Sequence, residues 1–404
     1  MQNYALHYAS ESFPNFREAE FLSILKIHNL NPVDVVIKDT DFTQDIVIIK
    51  LKNDSELLKI LSRSVLIKIG LLLWCQGNDF DSLLSKINDI PDSFTNGTIH
   101  NPNSTYKLIF TSVNNKVQDQ FRLDCIFKTL ARHAKGIQSK TDMKDAQCRL
   151  SLIFNHESIS KKLLNVTYGK IIGDSNRRMI LNKFKLSERL YLGNTSMNVE
   201  LAAIASNLGL CKSNTLVYDP FVGAGGCLIL ASYYGSLVLG SDIDYALLHG
   251  YDKSPKCGKG KRLRDECLRT CYVDYQLSNY FVDIIIADSA TLLKLWRDAE
   301  VEQFDAIITD PPYGVRESSK RISKMNIERE AKLMEPDEVV RITQGKKADI
   351  APNSEGLVPM LHDEPHFPHK EVYPLDETFK DLVNFGAKHW NPKDQSGSLF
   401  TAQN

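Results

Sequence analysis

The chain has 404 residues, of which 43% are apolar and 25% charged, a composition that excludes global disorder. This length predicts two or three domains and not one ordinary core. The net charge of −1 hides an asymmetry, because residues 101–200 carry 17 Lys and Arg against 8 Asp and Glu. That basic quarter is the natural surface for an anionic partner such as a nucleic acid, with a solvated linker as the alternative.

The start of the chain and its cysteines predict a compartment. No basic region followed by an apolar core opens the sequence, and the eight cysteines contain no CxxC pair. We therefore expect reduced thiols and a cytoplasmic location. The most apolar stretch, Val65–Trp74, is short and contains Lys68, so no membrane-spanning segment is expected.

Residues 1–60 alternate short apolar segments with one amphipathic segment. We predict strands at Tyr4–Ala9, Val33–Lys38 and Asp45–Leu51, and a helix at Phe16–His28. An order of strand, helix, strand and strand favours a small ferredoxin-like unit.

Residues 61–160 repeat the mixed pattern, with strands predicted at Tyr106–Val113 and Leu152–Phe154. Between them we predict a helix, Gln118–Lys135, with an apolar face toward the core and a basic face toward solvent. The apolar face is Phe121, Ile126, Phe127 and Leu130, and the basic face is Arg122, Lys128, Arg132 and Lys135. A helix that is basic on one side suits phosphate binding. Residues 161–188 are predicted to be a linker.

Two hydroxyl residues, Thr195 and Ser196, precede a helix predicted at Asn198–Leu208. Either hydroxyl can cap the helix. The exposed N–H groups and both hydroxyls would also suit a ligand carboxylate, such as that of a methionine moiety. Spacing alone favours ordinary capping over ligand binding.

A glycine-rich turn, Asp219–Gly226, follows a short strand at Thr215–Val217 and leads into an apolar helix at Cys227–Tyr234. Gly223 and Gly225 allow the backbone to approach a ligand closely. No Lys-Ser or Lys-Thr follows the glycines, so the turn is not a P-loop. A strand, a glycine-rich turn and a helix together predict a nucleotide-binding opening.

Carboxylates stand at the ends of the next two predicted strands as well. The strand Ser236–Gly240 ends at Asp242, where an acid can accept both ribose hydroxyls, as in dinucleotide-binding folds. The strand Phe281–Ala287 ends at Asp288 and Ser289, where adenine would be held. Because ligands of open α/β sheets bind at the carboxyl ends of the strands, a single ligand could touch all these positions.

The fourth strand of this half stops at Asp310-Pro311-Pro312-Tyr313, a turn that the two prolines make rigid. The Asp310 carboxylate and the Pro311 carbonyl can accept the two protons of an exocyclic amino group and aim its lone pair at an electrophilic methyl group. Pro312 offers no competing N–H, and Tyr313 would stack on a flipped-out base. A stiff loop after a core strand is the alternative, but the Tyr and Gly that follow favour chemistry.

These motifs resemble the catalytic subunits of the tRNA (guanine-N2-)-methyltransferases that modify the guanine at position ten of tRNA. The resemblance covers nearly the whole chain and rests on the segments Gly193–Met197, Asp219–Gly223, Asp242–Asp244, Arg264–Glu266 and Thr309–Glu317. It implies an α/β protein with a Rossmann-like methyltransferase domain at 189–404, a ferredoxin-like domain at 1–60 and a THUMP domain at 61–160 that grips the tRNA acceptor end.

The resemblance also implies S-adenosylmethionine as the cofactor and assigns the site. The catalytic residues would be Asp310, Pro311, Pro312 and Tyr313. The cofactor-binding residues would be Thr195, Ser196, Asp219, Phe221, Gly223, Gly225, Asp242, Ile243, Asp288 and Ser289. No metal site is expected in this chain, because His362, His366 and His369 are too irregularly spaced.

A small zinc-binding activator subunit is a further implication of the resemblance. It would add a strand beside the sheet, and the apolar strand Val282–Ala287 should lie at the edge that receives it. The basic loop 253–264 either contacts tRNA near the site or is merely solvated.

The sequence departs from the family pattern at several places. Ala224 replaces a usual threonine and Asn198 a usual aspartate, which would lower cofactor affinity. Residues 322–371 are predicted to be a mobile insertion. After a helix at Leu375–His389 we expect a fifth strand at Leu399–Ala402 but no closing hairpin, as in a truncated form. A DNA or other RNA amino-methyltransferase and an inactive tRNA-binding scaffold therefore stay open as alternatives.

Overall fold

The computed structural model describes residues 1–10, 12–133, 136–193, 196–249, 267–291, 296, 304–312, 319–323, 370–389 and 399–401. These residues form two α/β halves that share one continuous hydrophobic core. A mostly antiparallel sheet organises the first half and a parallel sheet the second, which confirms the predicted fold class.

The first half contains seven strands in the order β2-β1-β3-β7-β6-β4-β5. The strands are β1 (Gln2–Tyr8), β2 (Ile46–Leu51), β3 (Ile67–Gly77), β4 (Thr105–Val113), β5 (Lys140–Thr141), β6 (Cys148–His156) and β7 (Leu163–Asp174). The helices are α1 (Arg17–Ile27), α2 (Pro32–Val35), α3 (Asp54–Arg63), α4 (Phe80–Lys86), α5 (Asp92–Thr95), α6 (Asp119–Ala131) and α7 (Arg177–Lys183). The sheet is continuous across residue 60, so the division into two domains at that residue stays a prediction.

This first sheet curls until its distant strands meet. Asn114 follows β4 and Asp45 precedes β2, and four strands separate β2 from β4 in the sheet. In a flat sheet they would lie about 24 Å apart. Instead, the Asn114 amide donates a hydrogen bond of 2.7 Å to the Asp45 carboxylate. One face of this sheet buries a second apolar cluster, which includes Ala5, Leu71 and Ile153.

Three predictions for the first half were wrong. The predicted linker, 161–188, contains β7, which pairs with both β3 and β6 at the centre of the sheet. The predicted strand Val33–Lys38 is mostly the short helix α2, because Asn31 caps it and Pro32 suits its first turn. The third error lies in the apolar face of α6. Ile126 and Leu130 pack against the core as predicted, beside the buried Cys125 and Thr129, but Phe127 is 66% exposed. Phe121 is 44% exposed and contacts Phe110 and Phe154.

The second half is built on a parallel sheet in the order β10-β9-β8-β11-β14. Its strands are β8 (Leu216–Asp219), β9 (Leu237–Asp242), β10 (Phe281–Ile286), β11 (Ala306–Thr309) and β14 (Leu399–Thr401). The helices of this half are α8 (Val199–Leu208), α9 (Gly226–Tyr233), α10 (Tyr245–Leu248), α11 (Leu268–Asp274) and α12 (Leu375–His389). The predicted fifth strand is confirmed, since β14 pairs in parallel with β11.

The strands β12 (Lys320–Ile322) and β13 (Lys370–Val372) form a separate antiparallel pair, called the hairpin below although the strands are far apart in sequence. These strands lie at the two ends of the insertion predicted at 322–371, so both ends of that insertion are regular secondary structure. The rest of that insertion and the basic loop 253–264 lie outside the described residues.

The two halves meet along α8 through buried polar contacts. At one end of α8, Arg63 donates to Asn207 at 2.8 Å and to the carbonyl oxygen of Cys211. The Asn207 amide in turn donates to the buried carboxylate of Glu20 at 2.9 Å. At the other end, Arg177 pairs with Glu200. Within the part of the chain described, no helix is long and apolar enough to cross a bilayer.

Candidate active site

Four carboxylates lie in a row at one edge of the parallel sheet. Asp219 and Asp242 end β8 and β9, Asp310 directly follows β11, and Asp288 lies two residues after β10. In the sheet these strands are neighbours in the order β10, β9, β8 and β11. Because parallel strands lie about 4.8 Å apart, the row spans about 14 Å, the length of an extended nucleoside ligand. This juxtaposition is the one that the spacing of the aspartates predicted.

Asp219 is the most deeply buried of the four, at 1% exposure. Its carboxylate accepts the Phe221 N–H at 2.9 Å and so holds the turn that follows β8. Burial raises the pKa of Asp219 to about 7, although the Thr309 hydroxyl and the Phe221 N–H lower it. The negative charges of Asp242 and Asp310 raise the pKa further, which shows that all three carboxylates share one electrostatic environment.

Asp242 connects the end of β9 to the glycine-rich turn. One carboxylate oxygen accepts the Gly223 N–H at 2.8 Å and the other accepts the Asp244 N–H at 2.9 Å. Burial raises the pKa of Asp242 to about 6 despite these two bonds. Each oxygen keeps a free lone-pair direction, so the carboxylate can still accept hydroxyl groups from a ligand. Ile243, the next residue, is half-buried.

The two glycines of the turn have different structural roles. Both have positive φ, +52° at Gly223 and +75° at Gly225. A Cβ atom at Gly225 would lie 2.5 Å from the end of the Leu268 side chain, which would have to shift, and the positive φ adds backbone strain. Among the described residues, a Cβ atom at Gly223 would meet the Phe221 carbonyl at 4.0 Å and nothing closer. The described residues therefore leave room for a ligand to approach the Gly223 backbone.

Helix α8 begins differently from the prediction. Thr195 lies outside the described residues, and Ser196 does not cap the helix. The cap is Asn198, whose side chain accepts the Glu200 N–H at 2.7 Å. Asparagine adjacent to the first turn is among the best capping residues, so it displaces the more distant hydroxyls. As a consequence, the Ser196 hydroxyl is buried without a hydrogen-bond partner among the described residues.

Asp288 and Ser289 are both buried, at 4% and 6% exposure, in a short 3₁₀ turn after β10. The Asp288 carboxylate accepts the Ala290 N–H of its own turn at 2.9 Å and the Ile322 N–H of the hairpin at 2.8 Å. The second bond was not foreseen, because no sequence pattern indicates a contact between residues in separate segments.

Asp310 is half-buried at the end of β11, and Pro311 behind it is buried. Pro312 is half-buried, and Tyr313 lies outside the described residues. Arg189 is a buried residue beside the glycine-rich turn that the sequence did not point to. It is 3% exposed and donates to the Ala224 carbonyl oxygen, which supports the turn from behind.

A shallow pocket lies behind α9 and is not part of the carboxylate row. Apolar side chains dominate its lining, with Arg189, Met197 and Gly226 at the side nearest the turn. None of the four carboxylates contacts it. Among the described residues, no group of three or more His, Cys, Asp or Glu is placed to hold a metal ion.

Two family models match this chain. One, described as the Tmrp11 THUMP N-terminal domain, covers residues 2–177, and the other, described as the RMKL-like methyltransferase domain, covers residues 187–334. The gap between the two models, residues 178–186, covers most of α7 and lies between the curled sheet and the parallel one.

Curated relatives match over most of the chain. The tRNA (guanine(10)-N(2))-methyltransferase TRMT11 of Xenopus laevis is 29% identical over 96% of this chain and 73% of its own length. The mouse protein of the same name is 31% identical over 81% of this chain and 65% of its own length. The chain thus spans about two thirds of the length of the relatives it matches.

Solved structures resemble the chain more distantly. TrmN from Thermus thermophilus aligns with a TM-score of 0.42 and 16% identity, covering 78% of this chain and 80% of that one. SMU.472, a methyltransferase whose structure contains SAH, aligns with a TM-score of 0.41 and 11% identity, covering 81% and 84%.

Proposed function

The chain belongs to the protein family that joins a THUMP-type N-terminal domain to an RMKL-like methyltransferase domain and includes the tRNA (guanine(10)-N(2))-methyltransferases, and we propose that it transfers a methyl group from S-adenosylmethionine to N2 of guanosine 10 in tRNA. The observation that carries this proposal is the row of carboxylates that ends at the Asp310-Pro311-Pro312 turn. Adenine, the ribose and the target amino group would lie along the row in that order, at Asp288, Asp242 and Asp310.

The residues at the cofactor end of the row fit S-adenosylmethionine. The Ser196 hydroxyl, buried and unpartnered, would donate to the methionine carboxylate. Gly223 offers a backbone with no side chain in the way, and Asp242 would accept the ribose hydroxyls. Asp288 and Ser289 would border adenine at the far end of the row. When bound, the cofactor supplies the electrophilic methyl group.

The residues at the other end fit an amino group. The lone pair of guanine N2 is delocalised into the ring, so the amine must be held in a geometry that localises it. The Asp310 carboxylate and the Pro311 carbonyl would each accept one N2 proton. As the new N–C bond forms and the methyl–sulfur bond breaks, the nitrogen becomes acidic and releases one proton. Asp310, half-exposed beside the buried Asp219, would accept that proton.

An Asp310→Ala variant tests this assignment, with Asp376→Ala as the matched control because Asp376 is an exposed carboxylate on α12. Wild type and both variants would be incubated with tRNA and cofactor carrying a labelled methyl group. We expect loss of at least 100-fold in transfer for Asp310→Ala, typical of removing a group that acts in the transition state, with tRNA binding retained. Undiminished transfer would remove Asp310 from the mechanism.

Mapping the methylated nucleoside by mass spectrometry separates the alternatives. Label at N2 of guanosine 10 supports the proposal. Equal methylation of duplex DNA would favour a DNA amino-methyltransferase. Binding of tRNA without any binding of cofactor would favour an inactive scaffold.

Helix α6 supports tRNA binding by the first half. Phe127 is 66% exposed, and the neighbouring Arg122, Lys128 and Arg132 are also exposed. Exposed aromatic rings stack on unpaired bases, while the cations contact phosphates. We expect Phe127→Ala to weaken tRNA binding by about tenfold with no change in cofactor affinity; unchanged tRNA binding would exclude this helix.

The small zinc-binding activator subunit would bind β10. This strand is at the edge of the parallel sheet in the part of the chain described, and it exposes Val282 by 51% and Ile286 by 52%. An unpaired apolar edge favours the addition of a strand from another chain. Val282→Lys should reduce binding of the activator in a pull-down, and unchanged binding would place the activator elsewhere. We expect the complex to act in the cytosol, in keeping with the free thiols of all seven cysteines described.

A further inference from the structure

Arg63, the last residue of α3, is buried at the boundary between the two halves and is 8% exposed. Its Nε donates to the Asn207 side-chain oxygen at 2.8 Å, and its Nη2 donates to the Cys211 carbonyl oxygen. The guanidinium carbon lies 3.9 Å from the centroid of the Tyr234 ring, and the Tyr234 hydroxyl donates to the Arg63 carbonyl oxygen at 3.2 Å. One side chain of the first half thus contacts the carboxyl ends of both α8 and α9.

The contact continues from Asn207 back into the first half. The Asn207 NH₂ group donates at 2.9 Å to the carboxylate of Glu20, which is 1% exposed. The same carboxylate accepts the Ser64 hydroxyl at 2.7 Å and the Val65 N–H at 2.9 Å. Both the oxygen and the nitrogen of the Asn207 amide are therefore used across the boundary, and each bond requires the halves to lie in this arrangement.

Apolar contacts already hold the two halves together. Helix α8 is buried from Val199 to Asn207, and α1 of the first half packs against it within the shared core. Apolar burial is non-directional, so it tolerates small shifts between packed surfaces, whereas hydrogen bonds require a fixed distance and angle. Buried charges also carry a desolvation cost that offsets much of their attraction. The contacts of Arg63 therefore specify the arrangement of the halves more than they strengthen their association.

A second polar contact prevents rotation about the first. Arg177 pairs with Glu200, which is seven positions from Asn207 on α8, or about 10 Å at 1.5 Å per residue. The first half thus holds α8 at two separated points, through Arg63 on α3 and Arg177 on α7.

A fixed arrangement matters for a substrate that both halves contact. The proposed function assigns tRNA binding to the first half and methyl transfer to the carboxyl edge of the parallel sheet. A folded tRNA bound by the first half presents to that edge only the nucleotide at the matching distance. Because a misplacement of about 1 Å can cost on the order of 100-fold in rate, a loose boundary would reduce both turnover and the choice of nucleotide.

We propose that Arg63, through Asn207, is a positioning residue that sets the arrangement of the two halves and thereby determines which guanosine of a bound tRNA reaches the active site. This inference rests on the proposed function and adds the source of its site selectivity. Arg63 contacts the carboxyl ends of α8 and α9, whereas Ser196 and Gly223 precede their amino ends. It therefore acts through the placement of the halves and not by contact with the cofactor.

A double variant separates this role from simple stabilisation. Arg63→Met with Asn207→Leu replaces both partners by apolar groups of similar size, a change that is often nearly neutral for stability. Glu20 keeps its bonds to Ser64 and Val65 in this protein. Arg63→Lys, which keeps the charge but loses the planar fork of donors, is the second variant. Lys59→Met is the matched control, because Lys59 is exposed and lies about one turn before Arg63 on α3.

The arrangement of the halves is measured by the distance between two spin labels on the full chain. The labels would be attached through a genetically encoded keto residue at Lys50 on β2 and Lys380 on α12, which are both exposed. Cofactor affinity is measured by calorimetry, kcat/KM with tRNA, and the methylated guanosines are mapped by mass spectrometry.

For the double variant we expect the distance distribution to broaden about twofold, the cofactor Kd to change less than about threefold, and kcat/KM to fall about tenfold. Part of the methyl label should appear at guanosines that the wild type does not modify. Lys59→Met should change none of these.

A distance distribution as narrow as that of the wild type would overturn the inference. A broader distribution with wild-type kcat/KM and an unchanged methylation site would overturn it as well, and so would a cofactor Kd that rose in proportion to the lost turnover. If the double variant did not fold, the same criteria would apply to Arg63→Lys. A wild-type chain that methylates no tRNA would instead overturn the proposed function, while the label distances would still show whether Arg63 and Asn207 fix the halves.

Discussion

The guanidinium of Arg177 pairs with the carboxylate of Glu200 across the boundary between the two halves of the protein. Arg177 is held on its own side by the Val65 carbonyl at 2.6 Å and the Ser12 hydroxyl at 2.9 Å. Glu200 lies in the first turn of α8, a few residues after Ser196. The half that would bind tRNA thus contacts the helix start that would bind the cofactor.

Glu200→Gln should therefore affect both stability and cofactor binding. The pair is largely buried, so breaking it leaves Arg177 with an uncompensated charge and should lower the free energy of unfolding by about 2 kcal/mol. Because the start of α8 would be held less firmly, we also expect the cofactor Kd to rise by about threefold. Urea unfolding and calorimetry measure the two effects.

Asp174→Asn is the control for this prediction, since its ion pair with Arg149 is exposed and should contribute less than about 1 kcal/mol. If Glu200→Gln behaved like this control in both measurements, the contact between the halves would carry no energetic coupling.

The two glycines of the turn should respond differently to alanine. Gly225→Ala should destabilise the fold, because the added Cβ would lie 2.5 Å from Leu268. A second change, Leu268→Ala, should recover part of that loss. Gly223→Ala should cost only about 1 kcal/mol for its positive φ but should weaken cofactor binding. Thermal unfolding measures the loss of stability, and calorimetry measures the cofactor affinity. Equal effects of the two substitutions would contradict this prediction.

Asp219 should reduce stability at neutral and higher pH. Its pKa is raised to about 7 in the folded protein from its ordinary value of 3.8, mainly by burial. The protonated form is therefore favoured by folding, and stability falls as pH rises from about 4 to 7. Above that range the ionised carboxylate costs up to about 4 kcal/mol. Asp219→Asn should raise the unfolding temperature of the cofactor-free protein at pH 8 and leave it nearly unchanged at pH 4.

His133 should have the opposite pH dependence. It is 6% exposed, lies 3.0 Å from the Tyr168 hydroxyl, and has its pKa lowered to about 4 by burial and by the nearby His100. The unfolded chain binds a proton below pH 6.5 that the folded protein does not, so stability falls as pH drops from 6.5 toward 4. His133→Gln should recover about 2 kcal/mol of the free energy of unfolding at pH 5. If this variant lost as much stability as the wild type between pH 6.5 and 4, other titrating groups would be the cause.

The carboxylate row was predictable because its determinants are local. Each aspartate directly follows an apolar run, and parallel strands must end at the same edge of a sheet. The glycine-rich turn and the prolines carry their own backbone preferences. No tertiary knowledge was needed to place Asp242 and Asp310 near each other.

The errors arose where long-range pairing decides the structure. The strand β7 contains Gly169 and Gly173 and is followed by a polar segment, a composition typical of a linker, yet β3 and β6 on either side stabilise it as a strand. On α6, contacts with the rest of the fold decide that Phe127 is exposed, and helical periodicity alone cannot show this. The bond between Asp288 and Ile322 likewise depends on a hairpin whose strands are far apart in sequence.

The curl of the first sheet also sets the order in which the protein can fold during synthesis. Strand β3 waits for β7, which leaves the ribosome about 90 residues later. At roughly 5–20 residues per second, one side of β3 stays unpaired for about 5–20 s. Asn114 can reach Asp45 only after β4 and β6 have also emerged. A nascent chain halted before residue 163 would leave the apolar edge of β3 unpaired, where chaperones would bind or chains would aggregate.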